Sequence, residues 1–313
     1  MASDQLSYVT LDVFTQTRFE GNQLAIVRVP KALQVNNAQK QRIAREFNFS
    51  ETVFLHADSG NESPRVEIFT PVNEMEFAGH PIIGTGYLLF REAPHARKLT
   101  VRTKAGPVSL SYEPATQLVR ASVPHDIHVH SKQVPTGRIQ AVQGSLQHGE
   151  LDLSGVEPTY PVVSMVRGVT YALVDLTKRE DIFAGLVPGP SPDLDLDEGW
   201  GPSFTGTMYY RRVNSLLDAE NGVMVWDLHV RMIAINLEDP ACGSGGCSLG
   251  AYLALSRGQD SPVHRFNISQ GSEMGRRSEI VVDVCLDESR SKITEVKLAG
   301  QAALISEGKI YVN

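Results

Sequence analysis

The chain has 313 residues, 42% of them hydrophobic and 21% charged, which fits an ordinary soluble globular protein with one large domain or two of normal size. A formal net charge of -7 argues against a nucleic-acid partner, because phosphate binding calls for clustered Lys and Arg. No run reaches the roughly 18 apolar residues of a membrane span, so no membrane association is expected. The three cysteines, Cys242, Cys247 and Cys285, form no disulfide framework and suit a reducing compartment. Met1 to Ser7 is short and polar, without the basic and apolar regions of a secretory leader, so the expected location is cytoplasmic.

In chain order, Tyr8 to Phe14 alternates toward a strand, and Leu24 to Val29 forms a second strand after the turn at Gly21-Asn22. Asn37 to Phe47 carries Ile43, Ala44 and Phe47 at helical spacing, with Asn36 or Asn37 as its cap. Thr52 to His56 and Arg65 to Phe69 are strands, and Pro81 to Arg91 is a first apolar helix. Lys98 to Thr103, Val108 to Tyr112 and Leu118 to Val123 are strands separated by Gly106-Pro107 and Glu113-Pro114. Pro124 to Pro135 reads as a crossing between halves; its His125, His128 and His130 lack a carboxylate-rich or cysteine partner cluster, so the reading is a polar linker with no metal. Val162 to Val166 and Thr170 to Val174 are strands, Pro188 to Pro202 is a surface loop, and Phe204 to Arg212 and Gly222 to Ile235 are strands. Pro240 to Leu255 holds a second helix, and Phe266 to Gln270, Glu279 to Val284, Ile293 to Leu298 and Ala302 to Ser306 are late strands. Cys247 and Cys285 read as core residues.

One pattern occurs twice. Val66-Glu67-Ile68-Phe69-Thr70-Pro71 leads into Glu74-Met75-Glu76-Phe77-Ala78-Gly79-His80-Pro81 and then Gly84-Thr85-Gly86-Tyr87-Leu88-Leu89. Without gaps it slides onto a later copy: Val66 meets Val230, Glu74 meets Glu238, Gly79 meets Gly243, His80 meets Ser244, Gly86 meets Gly250 and Leu89 meets Leu253. This points to duplication of a whole unit. Both copies read as strand, turn, helix, which places the N–H groups of Gly243, Ser244 and Gly245 at or near a helix N-terminus suited to a carboxylate or phosphate. Gly246-Cys247-Ser248-Leu249-Gly250 matches a nucleophile elbow, but Ser248 lies inside the helix, past the turn, so a hydrolase is rejected. The glycines also lack a P-loop ending and dinucleotide spacing, so no nucleotide, flavin or metal cofactor is expected.

Four residues carry candidate chemistry. Glu51 follows Ser50 at the mouth of a strand among Phe47, Phe49, Val53 and Phe54; there its pKa would rise toward neutrality, though a solvated edge Glu fits the residues equally. His80 is a capping or core histidine, or a neutral imidazole at a helix start that hydrogen-bonds a substrate. Asp239 before Pro240 is a helix-entry acid or its counterpart in the second half. Cys242 is a small filler, or a thiol activated by a helix N-terminus and able to act as a base.

The paired Glu-x-x-Phe-Ala-Gly-His-Pro and Glu-Asp-Pro-Ala-x-Gly-Ser segments resemble the phenazine-biosynthesis isomerase (PhzF-like) family, which shares its fold with diaminopimelate epimerase. Asp12-Val13-Phe14-Thr15 with Gly21-Asn22-Gln23-Leu24-Ala25, Phe49-Ser50-Glu51-Thr52-Val53-Phe54, and Ser269-Gln270-Gly271-Ser272-Glu273-Met274-Gly275-Arg276 extend the resemblance across nearly the whole chain. It implies an α+β fold of two pseudo-symmetric half-domains, residues 1–123 with 300–313 and residues 124–299, each a curved, mostly antiparallel, barrel-like sheet around a central helix, with the active site between them. It implies a homodimer and a cofactor-independent isomerase that moves a proton between carbons of a small carboxylate substrate. In that reading Glu51 is the acid/base, His80 and Asp239 orient the substrate, and Ser50, Gly79, Gly243 and Ser244 bind it. Cys242 departs from the pattern, since the isomerases usually carry Thr there; the epimerases and racemases carry Cys, with a second thiol that would fall at Ala78. An alternative is therefore a racemase or epimerase using Glu51 and Cys242 as two bases. Another is a carboxylate-binding protein without catalysis.

Overall fold

The computed structural model describes residues 5–56, 63–144, 155–257 and 261–312; Met1–Asp4, on which the leader expectation partly rests, lie outside them. The fold is α+β, with mostly antiparallel strands and few helices. It divides into two compact units, Met1–Val123 with Leu298–Asn313, and Pro124–Lys297.

In the first unit the strand Gln5–Val13 lies between Asn22–Val29 and Ala302–Tyr311, antiparallel to both. Asn22–Val29 runs parallel to Glu51–His56, which pairs antiparallel with Arg65–Phe69. Arg65–Phe69 takes the short strand Glu74–Met75 on one side and touches Lys98–Thr103 in parallel at Arg65↔Arg102. Gly106–Glu113 and Leu118–Ser122 continue as a meander. The helix Gly79–Glu92 is buried over most of its length. A side chain at its Gly84 would strike Leu24 and Val13, and one at Gly86 would strike Val119, so strands hem the helix in on more than one side.

The second unit also combines antiparallel and parallel pairings. Val162–Val166 pairs antiparallel with His128–Val129 and with Val169–Asp175, which runs parallel to the start of Phe204–Asp218. Phe204–Asp218 pairs antiparallel with Val223–Ala234, which in turn runs parallel to Val263–Gln270; Ser278–Leu286 closes on the latter. The helix Gly243–Arg257 packs Gly246 near Ile268 and Gly250 against Phe266. The offset that carries Val66 onto Val230 also carries the pairs Ile68↔Met75 and Phe69↔Glu74 onto Met232↔Asp239 and Ile233↔Glu238. Both helices start at the aligned glycines, Gly79 and Gly243. Val134, Ile139, Tyr160, Ile182, Phe183 and Tyr209 form a separate core cluster in the second unit.

Several expectations shift. The first central helix begins at Gly79 rather than Pro81, because proline fits a first turn whose N–H groups have no helical acceptor. The second begins at Gly243 rather than Pro240, because Asp239 Oδ1 accepts from the Ala241 N–H at 2.9 Å and holds Pro240 in a turn. Phe204–Asp218 runs past Arg212, along Val223–Ala234. Cys247 is buried, but Cys285 is half-exposed on a strand, not core. The histidines of the crossing do have a carboxylate partner: Asp197, from the Pro188 to Pro202 loop, accepts from His128 Nε2 at 2.7 Å and from the Ser131 hydroxyl at 2.6 Å. Its own N–H donates to His130 Nδ1 at 3.0 Å, and His130 Nε2 meets Ser164 Oγ at 2.9 Å. Ser131 and His128 hold the Asp197 carboxyl well below its usual range. The ligand-type atoms of His128, His130 and Asp197 lie within 4.8 Å of one another, but each is engaged inside this latch, which pins the loop to the crossing. Among the described residues no helix is long and apolar enough to cross a membrane.

Candidate active site

Glu51 opens the strand Glu51–His56, and its neighbours fix it from both sides. Ser50 donates to Asn22 Oδ1 at 3.3 Å and also hydrogen-bonds the Glu51 carboxyl. Asn22 is buried beside Gly21, whose φ of +67° and whose close approach to the Val13 carbonyl leave no room for a Cβ. The turn therefore sets the acid's position. The Glu51 side chain is 16% exposed, and burial pushes its pKa up to about 7, against the smaller opposing effect of the Ser50 hydrogen bond. His80, in the first turn of Gly79–Glu92 and buried, brings Nδ1 to 3.4 Å from Glu51 Oε2. That is longer than an ordinary hydrogen bond and short enough for proton exchange after a small shift. Gly79, the helix's first residue, follows Ala78, which provides no side-chain cap. Glu51, Ser50, His80 and Gly79 are thus brought together by one strand start and one helix start. A carboxyl poised near neutral pH populates both protonation states and can take a proton and return it.

The second unit gathers Asp239, Cys242, Gly243 and Ser244 around the start of Gly243–Arg257. Asp239 ends the strand Leu237–Asp239, and this strand's base is fixed by a buried pair, Arg231 with Glu238, bidentate at 2.7 Å on each arm. Arg231 Nη1 donates to the Phe183 carbonyl, and Nη2, which also holds Glu238, donates to the Leu186 carbonyl. Gln270, fully buried, bridges the turn: its Nε2 donates to the Asp239 carbonyl at 2.7 Å, and its Oε1 accepts from the Cys242 N–H at 3.2 Å. Tyr171 reaches in with its hydroxyl 2.7 Å from Ser244 Oγ and 3.3 Å from Cys242 Sγ.

Cys242 does not have the lowered pKa that a helix start would give it. Burial, then the Asp239 charge, push the thiol up to about 12, and hydrogen bonds with Tyr171, Ser244 and the Gly245 N–H only partly offset them. The thiol stays protonated at neutral pH. Ser248 lies within the helix, and its hydroxyl donates to the Ser244 carbonyl at 3.0 Å, as expected of a residue past the turn. Sequence reasoning missed Tyr171, Gln270 and the Arg231–Glu238 pair. Gln270 lay in a motif already singled out; nothing local marks Tyr171, whose partners are far along the chain.

A family model described as phenazine biosynthesis-like protein matches residues 11–308. The chain is 28% identical over 306 residues to a trans-2,3-dihydro-3-hydroxyanthranilate isomerase of Pseudomonas aeruginosa, covering 97% of this chain and 99% of the relative. It is likewise 28% identical to an uncharacterized isomerase of Mesorhizobium japonicum, covering 98% and 99%. A crystal structure of a PhzF-family phenazine biosynthesis protein from Bacillus anthracis superposes with a TM-score of 0.75 at 20% identity, covering 98% of this chain and 99% of that one. With its aligned strand–turn–helix segments and its match over almost the whole chain, this protein belongs to the phenazine biosynthesis-like (PhzF) family of isomerases.

Proposed function

We propose that this isomerase moves a proton from one carbon to another of a small carboxylated substrate without a cofactor, with Glu51 as the acid/base. The observation that carries the reading is the Glu51 carboxyl raised to about 7 with His80 at 3.4 Å. In the forward step the Glu51 carboxylate takes a proton from carbon, and the electron pair left behind delocalises into the substrate's unsaturated system. The protonated Glu51 then returns the proton to a second carbon, so no atom or electron is gained or lost. His80 and Asp239 orient the substrate, with Ser50 steadying the acid. Gly79, Gly243 and Ser244 bind the carboxylate through helix-start N–H groups and a hydroxyl, which favour negative charge. The name of the Pseudomonas relative, which acts on an anthranilate derivative, supports a carboxylate substrate. The racemase alternative needs Cys242 as a second base; a thiol held at about 12 is poorly suited to take a proton.

The test is solvent exchange by mass spectrometry in deuterated water. A panel of cyclic amino- and hydroxy-carboxylates and plain amino acids is incubated with the native chain, Glu51→Gln and Cys242→Ala. The proposal expects deuterium incorporation that disappears in Glu51→Gln and persists in Cys242→Ala. Racemisation lost in both variants would replace it with the two-base reading, and exchange persisting in Glu51→Gln would remove the assigned acid/base.

A further inference from the structure

We infer that Tyr171 is a positioning residue of the carboxylate site. It relays a hydrogen bond from the Cys242 thiol to Ser244, so that Ser244 turns its hydroxyl proton, and not its lone pairs, toward the bound anion. The inference rests on the reading of Ser244 as part of that site.

The Tyr171 ring is fixed by its own strand and the next one. Tyr171 lies on Val169–Asp175 beside Gly206, and a Cβ at Gly206 would come within 3.1 Å of the ring. Phe204 meets the ring edge-on, with centroids 6.1 Å apart. The side chain is buried, and its hydroxyl reaches the start of Gly243–Arg257, at 2.7 Å from Ser244 Oγ and 3.3 Å from Cys242 Sγ. Cys242 Sγ and Ser244 Oγ are themselves 3.8 Å apart, so the tyrosine oxygen is the closer link between them.

The proton inventory gives the chain its direction. The thiol, held at about 12, keeps its hydrogen at neutral pH. So does Tyr171, whose pKa burial and then the neighbouring Cys242 raise well above the ordinary tyrosine value. The Gly245 N–H already donates to Cys242 Sγ at 3.4 Å, so the sulfur serves as an acceptor there and has its own hydrogen to give. Given to the Tyr171 oxygen, that hydrogen leaves the Tyr171 O–H to donate to Ser244 Oγ, and Ser244 then donates onward. Of the three residues only Ser244 is not buried, so the chain opens to a ligand at its hydroxyl. Hydrogen bonds aligned in this way strengthen one another, most of all when the last acceptor is charged. Reversed, the chain would set an oxygen lone pair against the anion. Cys242 thus acts as the first donor of a relay, a use that a raised pKa suits.

The experiment is calorimetric titration of the full chain with benzoate and with its uncharged counterpart, benzamide. The native chain should bind benzoate saturably and more tightly than benzamide. Ser244→Ala and Tyr171→Phe should each weaken benzoate about tenfold, the loss expected for a hydrogen bond to a charged group, and narrow its preference over benzamide. Tyr171→Phe added to Ser244→Ala should cost nothing further, whereas a tyrosine that only packs the helix start would weaken binding in either background. Cys242→Ser, which keeps a donor, should bind benzoate as the native chain does, and Cys242→Ala should bind it severalfold more weakly; this pair carries the test if Tyr171→Phe does not fold by circular dichroism. Absence of saturable benzoate binding, or equal binding by Ser244→Ala and the native chain, would overturn the carboxylate reading and this inference with it. Weakening in Ser244→Ala with native affinity in Tyr171→Phe, or in Cys242→Ala in its place, would overturn the inference alone, as would losses that simply multiply in the double variant.

Discussion

Glu51 binds its proton more tightly in the folded chain, where its pKa is about 7, than in the unfolded chain, where the ordinary value is 4.5. Below the lower value both states hold the proton, and the acid contributes no penalty. As pH rises from 4.5 toward 7 the unfolded chain releases the proton first, so stability falls, and above about 7 the full cost is in place. Glu51→Gln should therefore stabilise the protein at about pH 8 by up to about 3 kcal/mol and do little at about pH 4; denaturant midpoints of the two proteins across pH check this. The same group predicts that kcat/KM rises with pH through about 7, as the carboxylate form of Glu51 appears; a pH profile that is flat there would separate the acid's titration from catalysis. Tyr171→Phe should cost about 1–2 kcal/mol in chemical denaturation, because it strips a buried hydroxyl partner from Ser244 and Cys242. At this scale the raised pKa of Glu51 was one of the two readings its apolar neighbours Phe47, Phe49, Val53 and Phe54 offered. The direction of the Cys242 pKa was not legible, because a helix start says nothing of how deeply the thiol is buried or of the Asp239 charge beside it.

The two central helices depend on glycine for closeness to their sheets. A Cβ at Gly86 would come within 2.7 Å of Val119, and one at the aligned Gly250 within 2.9 Å of the Phe266 ring. Neither neighbour is a flexible chain end, so Gly86→Ala and Gly250→Ala should each destabilise by about 1–3 kcal/mol despite alanine's better helix propensity. Thermal melts of the two variants measure this, and unchanged melting would mean that the sheets give way easily. The helix Asn37–Phe47 was legible to the residue, since Asn36 and Gln39 form a reciprocal capping box at its start. The short strands Glu74–Met75 and Leu237–Asp239 were not, because two or three residues carry no periodicity; the partner strand defines them. The His128–Asp197 latch escaped for a related reason, its halves lying on segments that only the folded chain brings together.

At the scale of the whole molecule, the two units differ in how the chain enters them. Pro124–Lys297 is one continuous stretch, whereas the first unit is completed by Leu298–Asn313. The strand Ala302–Tyr311 pairs with Gln5–Val13 along most of its length. A chain stopped after Gln301 should lose amide-exchange protection in Gln5–Val13 while Val223–Ala234 keeps it; exchange mass spectrometry reads both at once. The same pairing orders events during synthesis. The second unit has its whole sequence outside the ribosome before the first receives its last strand. At roughly 5–20 residues per second, the intervening stretch takes on the order of 10–30 s to make. Throughout that interval one edge of Gln5–Val13 lacks its partner, and an unpaired edge invites the wrong strand. The newborn chain is therefore most in need of a chaperone while its first-made part waits for its last.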